Sequence, residues 1–389
     1  MKFITCFKNS LIRSKDHLIN NRLESIIWLV NLVPSQAGFS ILKDTISAPF
    51  WILHLSLLIY VYGVGNAVYQ VQYAQGARDF IKSYVNISLL ILISNNSYWF
   101  LMKRPLLKAV LEQVTRNDRL SMKTDFLKKK HERLLFVIKS IVLIFYGCNL
   151  VDAVFIYLPH RVNISNNYFS MTPCVGIGSL NSTPNREICH AILFAQELTI
   201  MTVVLNYQAL LLFLIAHTSA MYQMLSAEML AFDDYEDCPR SKALVKERLP
   251  ILIERHALIL AIIQNLKALY SVPIGVNFGS NAVCISLFFY LPLQEWVMFT
   301  PILVYCFLVF FLYCYLCQKL INASENFENA VYSCGWEKFD LKEKKTVYVM
   351  MLLAQKPVTL LAADIIPVNI YTFATTLQAI FKFITVVKF

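Results

Sequence analysis

Residues 103–158 read KRPLLKAVLEQVTRNDRLSMKTDFLKKKHERLLFVIKSIVLIFYGCNLVDAVFIYL. The part before Leu134 carries ten Lys and Arg: Lys103, Arg104, Lys108, Arg116, Arg119, Lys123, Lys128, Lys129, Lys130 and Arg133. The part from Leu135 to Leu158 is apolar, with Lys139 and Asp152 as its charges. About 20 apolar residues cross a bilayer as a helix. A dense basic stretch beside such a helix marks its cytoplasmic end. The two halves of this stretch therefore predict a membrane span that enters from the cytoplasm.

Six more segments have spanning length: Ala48–Tyr69, Ile81–Met102, Ile188–His217, Ser271–Leu291, Trp296–Cys317 and Ile365–Val387. The fourth span, Ile188–His217, is long enough to project beyond a bilayer, and Pro273, Gly275 and Gly279 blur the start of the fifth. Between the sixth and seventh, Glu337–Leu361 is amphipathic and too charged at its start to span. The composition agrees. Of the 389 residues 57% are hydrophobic and only 15% charged, against about 25% charged in soluble domains. With a mean hydropathy of +0.53, a single soluble enzyme is excluded. The fold class expected is all-α, a polytopic membrane protein of seven transmembrane helices.

The basic residues also orient it. Residues 1–47 hold six (Lys2, Lys8, Arg13, Lys15, Arg22, Lys43), the fourth-to-fifth connection six (Arg240, Lys242, Lys246, Arg248, Arg255, Lys267) and the sixth-to-seventh six (Lys319, Lys338, Lys342, Lys344, Lys345, Lys356). With the ten above, 28 of 35 lie on alternate connections, which puts the N-terminus in the cytoplasm and the C-terminus outside. The net charge of +10 thus belongs to cytoplasmic loops and lipid head groups rather than to nucleic acid. A G-protein-coupled receptor has the opposite orientation. The chain also lacks an acidic-Arg-Tyr triplet after the third span, and Pro367-Val368-Asn369-Ile370-Tyr371 is not Asn-Pro-x-x-Tyr.

Four regions follow: a cytoplasmic N-terminal segment over 1–47 with a short interfacial helix at Ile26–Val33, spans one to six with cytoplasmic extensions over 48–320, a cytoplasmic anchor and the start of helix seven over 321–364, and the last span over 365–389. No signal peptide is read at the N-terminus. Cys314 and Cys317 form an isolated CxxC without a second pair at zinc-site spacing. His54, His160, His190, His217 and His256 share no ligand spacing, so they read as structural. Neither a cofactor site nor a catalytic constellation is expected. Cys174 and Cys189 flank one polar outer loop, where a disulfide can form. The Asn163-Ile164-Ser165 sequon falls in the same loop.

The last stretch, CYLCQKLINASENFENAVYSCGWEKFDLKEKKTVYVMMLLAQKPVTLLAADIIPVNIYTFATTLQAIFKFITVVKF, closely resembles the C-terminal signature of the insect odorant receptor family. The resemblance is carried by Tyr313-Cys314 with Ser324-Glu325, by Ala330-Val331-Tyr332 with Trp336, and by Met350-Met351 with Gln355-Lys356-Pro357. Tyr371-Thr372-Phe373 and Phe383 to Lys388 complete it. Three positions depart from the pattern: Cys317 stands where a Gly is usual, Ala363-Asp364 replaces Ala-Gly, and Lys382 replaces a small polar residue. The resemblance implies a subunit of a tetrameric, ligand-gated, non-selective cation channel in the plasma membrane of olfactory neurons, anchored through cytoplasmic helices (Tyr332, Trp336, Gln355, Lys356, Pro357) and opened without a G protein. It implies a shared co-receptor subunit as partner. The co-receptor carries an insertion in its second intracellular loop, which is short here, so this chain resembles a tuning, odorant-binding subunit.

Two sites follow. Thr375, Gln378, Ala379, Lys382 and Val386 share one face of the last helix. The resemblance makes this face the pore lining and Val386 the gate, a ring that closes by dewetting. Lys382 is costly on such a face, because it repels permeating cations. The resemblance places the ligand in the outer halves of helices two, three, four and six. These hold Tyr84, Ile87, Ser88 and Ile91; Gly147, Val151 and Val154; Gln196, Thr199, Ile200 and Val203; and Trp296, Phe299 and Leu303. This largely apolar wall suits a small volatile molecule held by burial. The alternatives left open are a gustatory receptor of the same topology and a transporter.

Overall fold

The computed structural model of the chain describes residues 14–43, 46–72, 74, 76–121, 125–162, 174–177, 184–233, 239–290, 293–356 and 358–388. Asn163 and Pro357 lie outside these residues, as do the side chains of Val154, Trp296 and Phe299.

Helix α1 (Leu23–Gln36) buries Leu23, Ile26, Leu29 and Val30 on one face. α2 (Ala48–Gln72) passes through a π-helical turn at Ile59–Gly65. α3 (Ala77–Met102) ends at Lys103, where Pro105 in the first turn of α4 (Arg104–Leu120) forces a new helix to start. α4 is amphipathic: Leu107, Val110, Leu111, Val114 and Asn117 repeat at helical spacing and are buried. α5 (Asp125–Val162), α6 (Asn185–Leu230, with a π turn at Met201–Leu205), α7 (Pro239–Phe288) and α8 (Leu293–Tyr332) are the long helices. A 3-10 turn at Trp336–Lys338 leads to α9 (Leu341–Ala354). Two-residue strands β1 (Leu361–Ala362) and β2 (Ile366–Pro367) then form an antiparallel hairpin before α10 (Ile370–Lys388). Six of these helices, α2, α3, α5, α6, α7 and α8, are long and apolar enough to cross a bilayer, and α10 is a shorter apolar helix. The molecule is an α-helical, multi-pass membrane protein.

Two expectations change. α7 does not begin near Ser271 but runs unbroken from Pro239 through Pro250 and Pro273. Pro273 cannot donate to the carbonyl of Leu269 one turn earlier. The Tyr207 hydroxyl of α6 donates to that carbonyl instead, at 3.3 Å, so the helix tolerates the proline. The last helix starts at Ile370 rather than Ile365, because Pro367 disfavours helix at the residue before it and the preceding turn has positive φ.

The helices bury one main apolar cluster. It takes Phe100 from α3, Val114 from α4, Phe145 from α5, Phe213 and Leu225 from α6, Ile262 from α7, Val309 and Phe327 from α8, and Val347 from α9. All of this lies toward the end of the bundle where helices extend beyond spanning length, here termed the extension end. At the opposite end Cys174 and Cys189 are joined by a disulfide with 5.8 Å between Cα atoms. The apolar clusters at this disulfide end are small.

Candidate functional site

α10 presents two unlike faces. Phe373, Leu377, Ile380 and Ile384, spaced by three and four residues, pack on the bundle. The Phe373 ring meets Phe310 at 5.1 Å and Phe311 at 5.5 Å between centroids. On the other side Gln378, Ala379 and Lys382 are exposed, Val386 is 77% exposed and Thr375 is half-buried. Nothing in the described part of this chain covers that face. An uncovered helix face that mixes polar and small apolar residues in this way is left for another subunit or for a pore.

At its start, α10 is capped by Asn369, whose Oδ1 accepts from the Thr372 backbone N–H at 2.8 Å. The hairpin before it sits on α7. Ala363 N–H donates to the Ser271 carbonyl at 2.7 Å. The Ser271 hydroxyl donates to Asp364 Oδ1 at 2.6 Å and accepts from Asp364 N–H at 2.7 Å. Close approach is allowed because residue 275 is glycine: a Cβ there would lie 2.7 Å from the Ala363 Cβ.

The sequence-derived ligand residues fall into distinct settings. Ser88 is buried against α7, where Ser280 donates to its carbonyl at 3.5 Å and the Cys284 thiol to its hydroxyl at 3.9 Å. Gln196, Thr199 and Val203 are buried on α6, with Val203 inside the main core. Ile200 packs with Leu58, Ile93, Val204 and Leu89 between α2, α3 and α6. Leu303 packs with Val85, Leu89, Cys284, Ile285, Cys306 and the α10 residues Leu377, Ile380 and Ile384. Ile87 is half-buried, and Tyr84, Ile91, Gly147 and Val151 are exposed. Leu89 belongs to both clusters, so the groups around Ile200 and Leu303 are in one chain of contact that ends on α10.

Gln196 differs from its neighbours. It is 2% exposed, and neither its amide oxygen nor its nitrogen has a hydrogen-bond partner. A buried amide left unpaired costs about 1–3 kcal/mol. A polar atom of a bound molecule would relieve that cost.

The extension end is built from charge. Arg255 pairs with Glu228, and both are buried. Asn117 Nδ2 donates to the Arg255 carbonyl at 2.9 Å. Beside them Asp118 lies 2.8 Å from His131 Nε2 and 4.0 Å from His217 Nε2. Burial alone would raise the Asp118 carboxyl above its ordinary pKa. The hydrogen bond from His131 and the nearby His217 and Arg255 outweigh burial and hold it below. α9 buries Val347, Met350 and Ala354, while Tyr348, Val349 and Leu352 on its other side are exposed, as is Tyr332 at the end of α8. Trp336 packs on the core, and Gln355 and Lys356 are exposed.

The remaining residues singled out are structural. Lys139 caps a short helix over 14–19 by donating to the carbonyls of His17 and Asn20 at 3.0 Å. His54 bonds Ser97 at 3.0 Å, and the His256 ring lies against Phe327 at 4.7 Å. Cys314 and Cys317 are buried in the core. Among the described residues no three His, Cys, Asp or Glu side chains converge as metal ligands would. Residue types alone did not reveal the bridging role of α7. The one hint was the Pro273, Gly275, Gly279 run, which marks a stretch where another backbone comes close.

Comparison with known proteins supports this architecture. A family model described as 7tm Odorant receptor matches residues 77–381. Odorant receptor 67a of Drosophila melanogaster is 27% identical over 149 residues, 36% of each chain. Odorant receptor 10a of the same fly is 27% identical over 187 residues, 44% of this chain and 45% of that one. The chain therefore aligns with less than half the length of these relatives. The insect olfactory receptor OR5 from Machilis hrabei superposes with a TM-score of 0.79 at 13% identity, covering 94% of this chain and 98% of that one. A second structure of OR5, in complex with eugenol, gives a TM-score of 0.77.

Proposed function

The chain belongs to the 7tm odorant receptor family, and from that premise we propose that it is the odorant-binding subunit of a heteromeric, ligand-gated, non-selective cation channel. Its partners in this reading are a shared co-receptor subunit, a small volatile odorant, permeating cations and membrane lipid. It resides in the plasma membrane of olfactory sensory neurons with seven spans. The extension end, which carries most of the Lys and Arg, faces the cytoplasm, and the disulfide end faces outward.

One observation carries the reading. The covered stripe of α10 shares an apolar cluster with Leu303 of the ligand wall, while the opposite stripe is uncovered. A molecule lodged among α3, α5, α6 and α8 displaces side chains that touch Leu89 and Leu303. Those displace Ile380 and Ile384. If the ligand binds more tightly where the four last helices stand apart, occupancy shifts the channel toward opening. Thr375, Gln378, Ala379 and Val386 then face the ion path, with Val386 closing it by dewetting. Lys382 stands on the same uncovered face, and a channel in which only a minority of subunits carry it dilutes its repulsion of cations. The eugenol complex of OR5 is consistent with a small organic ligand for this fold. The unpaired Gln196 amide suits a ligand with one polar atom on an apolar body. The uncovered sides of α9 and of Tyr332 supply apolar surface for subunit contacts at the cytoplasmic end.

Expression in an electrically silent cell, with and without the co-receptor, tests this against an odorant panel. Odorant-evoked cation current is expected only with the co-receptor. Robust current from this chain alone would sink the tuning-subunit reading.

A further inference from the structure

The hairpin that leads into α10 is strained. Ala363 has φ 51° and Asp364 φ 58°, the only non-glycine residues with positive φ among those described. The left-handed region is unfavourable for a residue with a Cβ, less so for Asp. Strain of this kind persists only when the surroundings hold it.

One residue of α7 grips both strained positions. Ser271 on α7 accepts the Ala363 N–H through its carbonyl and engages both the backbone N–H and the carboxylate of Asp364 through its hydroxyl. The contact falls beside Pro273, which lacks the N–H of an ordinary helix residue, and on the face that Gly275 leaves bare. Ser271 and Gly275 are one helical turn apart, so they form one seat. The hairpin is tied down from within as well: β1 pairs with β2, and Val368 N–H donates to the Leu360 carbonyl at 2.9 Å. Ile365 and Ile366 on its rim are exposed.

This seat lies at one end of α10 and the apolar cluster at Ile380 and Ile384 lies toward the other. With 1.5 Å of rise per residue, Val386 is about 24 Å beyond Ile370. A push on Ile380 and Ile384 can slide such a helix or tilt it. It tilts only if the near end is held.

We propose that Ser271, Gly275 and Asp364 form a clasp that fixes the inner end of α10 to α7, so that displacement at Ile380 and Ile384 becomes rotation of the Val386 end. Ser271 and Asp364 are positioning residues for gating. They touch neither ligand nor ion. The proposal rests on the reading of α10 as the pore helix.

The test uses the full chain co-expressed with the co-receptor. Ser271→Ala removes both hydroxyl bonds, and Asp364→Ala removes the carboxylate while keeping the strained backbone. Gly275→Ala favours helix and places a methyl where Ala363 sits, so it unseats the hairpin without weakening α7. Maximal odorant-evoked current, normalised to surface receptor, is expected to fall about five- to tenfold in Ser271→Ala and in Gly275→Ala, the equilibrium worth of one or two net hydrogen bonds. Basal current and bound odorant at saturation stay at wild-type levels. Asp364→Ala added to Ser271→Ala has no further effect, because the partner is already gone. Ser271→Thr, which keeps the hydroxyl, restores the current. Unchanged current in both Ser271→Ala and Gly275→Ala at normal surface level overturns the clasp, as does a double variant whose loss is the product of the two single losses. Absence of any odorant current from the wild-type pair overturns instead the channel reading on which the clasp depends.

Discussion

Arg255 at the extension end and Gln196 at the disulfide end are both almost completely buried, at 1% and 2% exposure, and their surroundings treat them in opposite ways. Arg255 is paired with Glu228 and bonded to Asn117, inside a core to which α3 through α9 all contribute. Gln196 has neither amide atom paired and lies among side chains gathered into small clusters. The first site admits few arrangements, because a buried charge needs its partner. The second has slack, because an unpaired amide and exposed apolar residues such as Ile91 and Val151 can be repacked around an incoming molecule. A receptor that must stay assembled while one end rearranges needs both kinds of construction in one bundle.

The sharpest way to break this contrast is to attack the rigid end. Arg255→Met takes the buried cation away from the Glu228 carboxylate, at a cost of about 3–5 kcal/mol. Folded receptor, followed by fluorescence-detected size exclusion, should fall to background. Arg255→Met with Glu228→Leu should recover much of it. Survival of the single variant at wild-type yield would mean that the pair does not hold the extension end together.

At the compliant end the effects are smaller and selective. Gln196→Leu should weaken responses to odorants bearing a hydroxyl or carbonyl by about tenfold, for a lost hydrogen bond of ~1.4 kcal/mol. Responses to hydrocarbons should hold or improve, since an orphaned amide has been removed. Equal loss across the panel would mean that Gln196 serves packing. Smaller still, Val386→Ser should raise basal current about fivefold, by removing ~1 kcal/mol of apolar closed-state contact. A silent variant would move the gate elsewhere.

The smallest effect returns to the rigid end. Asp118 is held ionised below the ordinary carboxylate pKa. Its contribution to stability is therefore complete above about pH 4, the unfolded value, and is lost as pH falls through the lower folded value. Asp118→Asn should lower the melting temperature of purified receptor by a few degrees at pH 7. It should also flatten the fall in melting temperature below pH 4. Parallel curves for variant and wild type would show that the His131 contact contributes nothing to folding.

Much of the fold was legible before any coordinates. Long apolar runs have one solution in a bilayer, because unpaired backbone is too costly there. Leu135–Leu158 therefore read correctly as part of a spanning helix, now seen as Asp125–Val162. The pattern of α4, with Leu107, Leu111 and Val114 on one stripe, is equally local. The faces of α10 also follow from spacing alone: Thr375, Gln378, Ala379, Lys382 and Val386 are indeed opposite the stripe of Leu377, Ile380 and Ile384.

What stayed hidden depends on residues far apart in the chain. The start of the last helix was misplaced at Ile365 because hydropathy registers Ile365 and Ile366 but not the turn at Ala363 and Asp364. That turn is stabilised by Ser271, 93 positions away. The resemblance places the ligand wall on four helices, and the structure distributes those of its side chains that are described between buried contacts and open surface. α7, left out of the wall, carries Cys284 and Ile285 between α3 and α10.

Length, charge and the helical repeat already dictate that this chain crosses a membrane several times as helices, and how the apolar and polar faces of those helices are laid out. Which faces meet is settled only in three dimensions: Arg255 with Glu228, Leu303 and Ile384 in one apolar cluster, and Ser271 with Asp364. Those pairings are set by how close the helices approach. A proline in α7, and a glycine one turn from the serine that grips the hairpin, determine that closeness in a way no single stretch of sequence reveals.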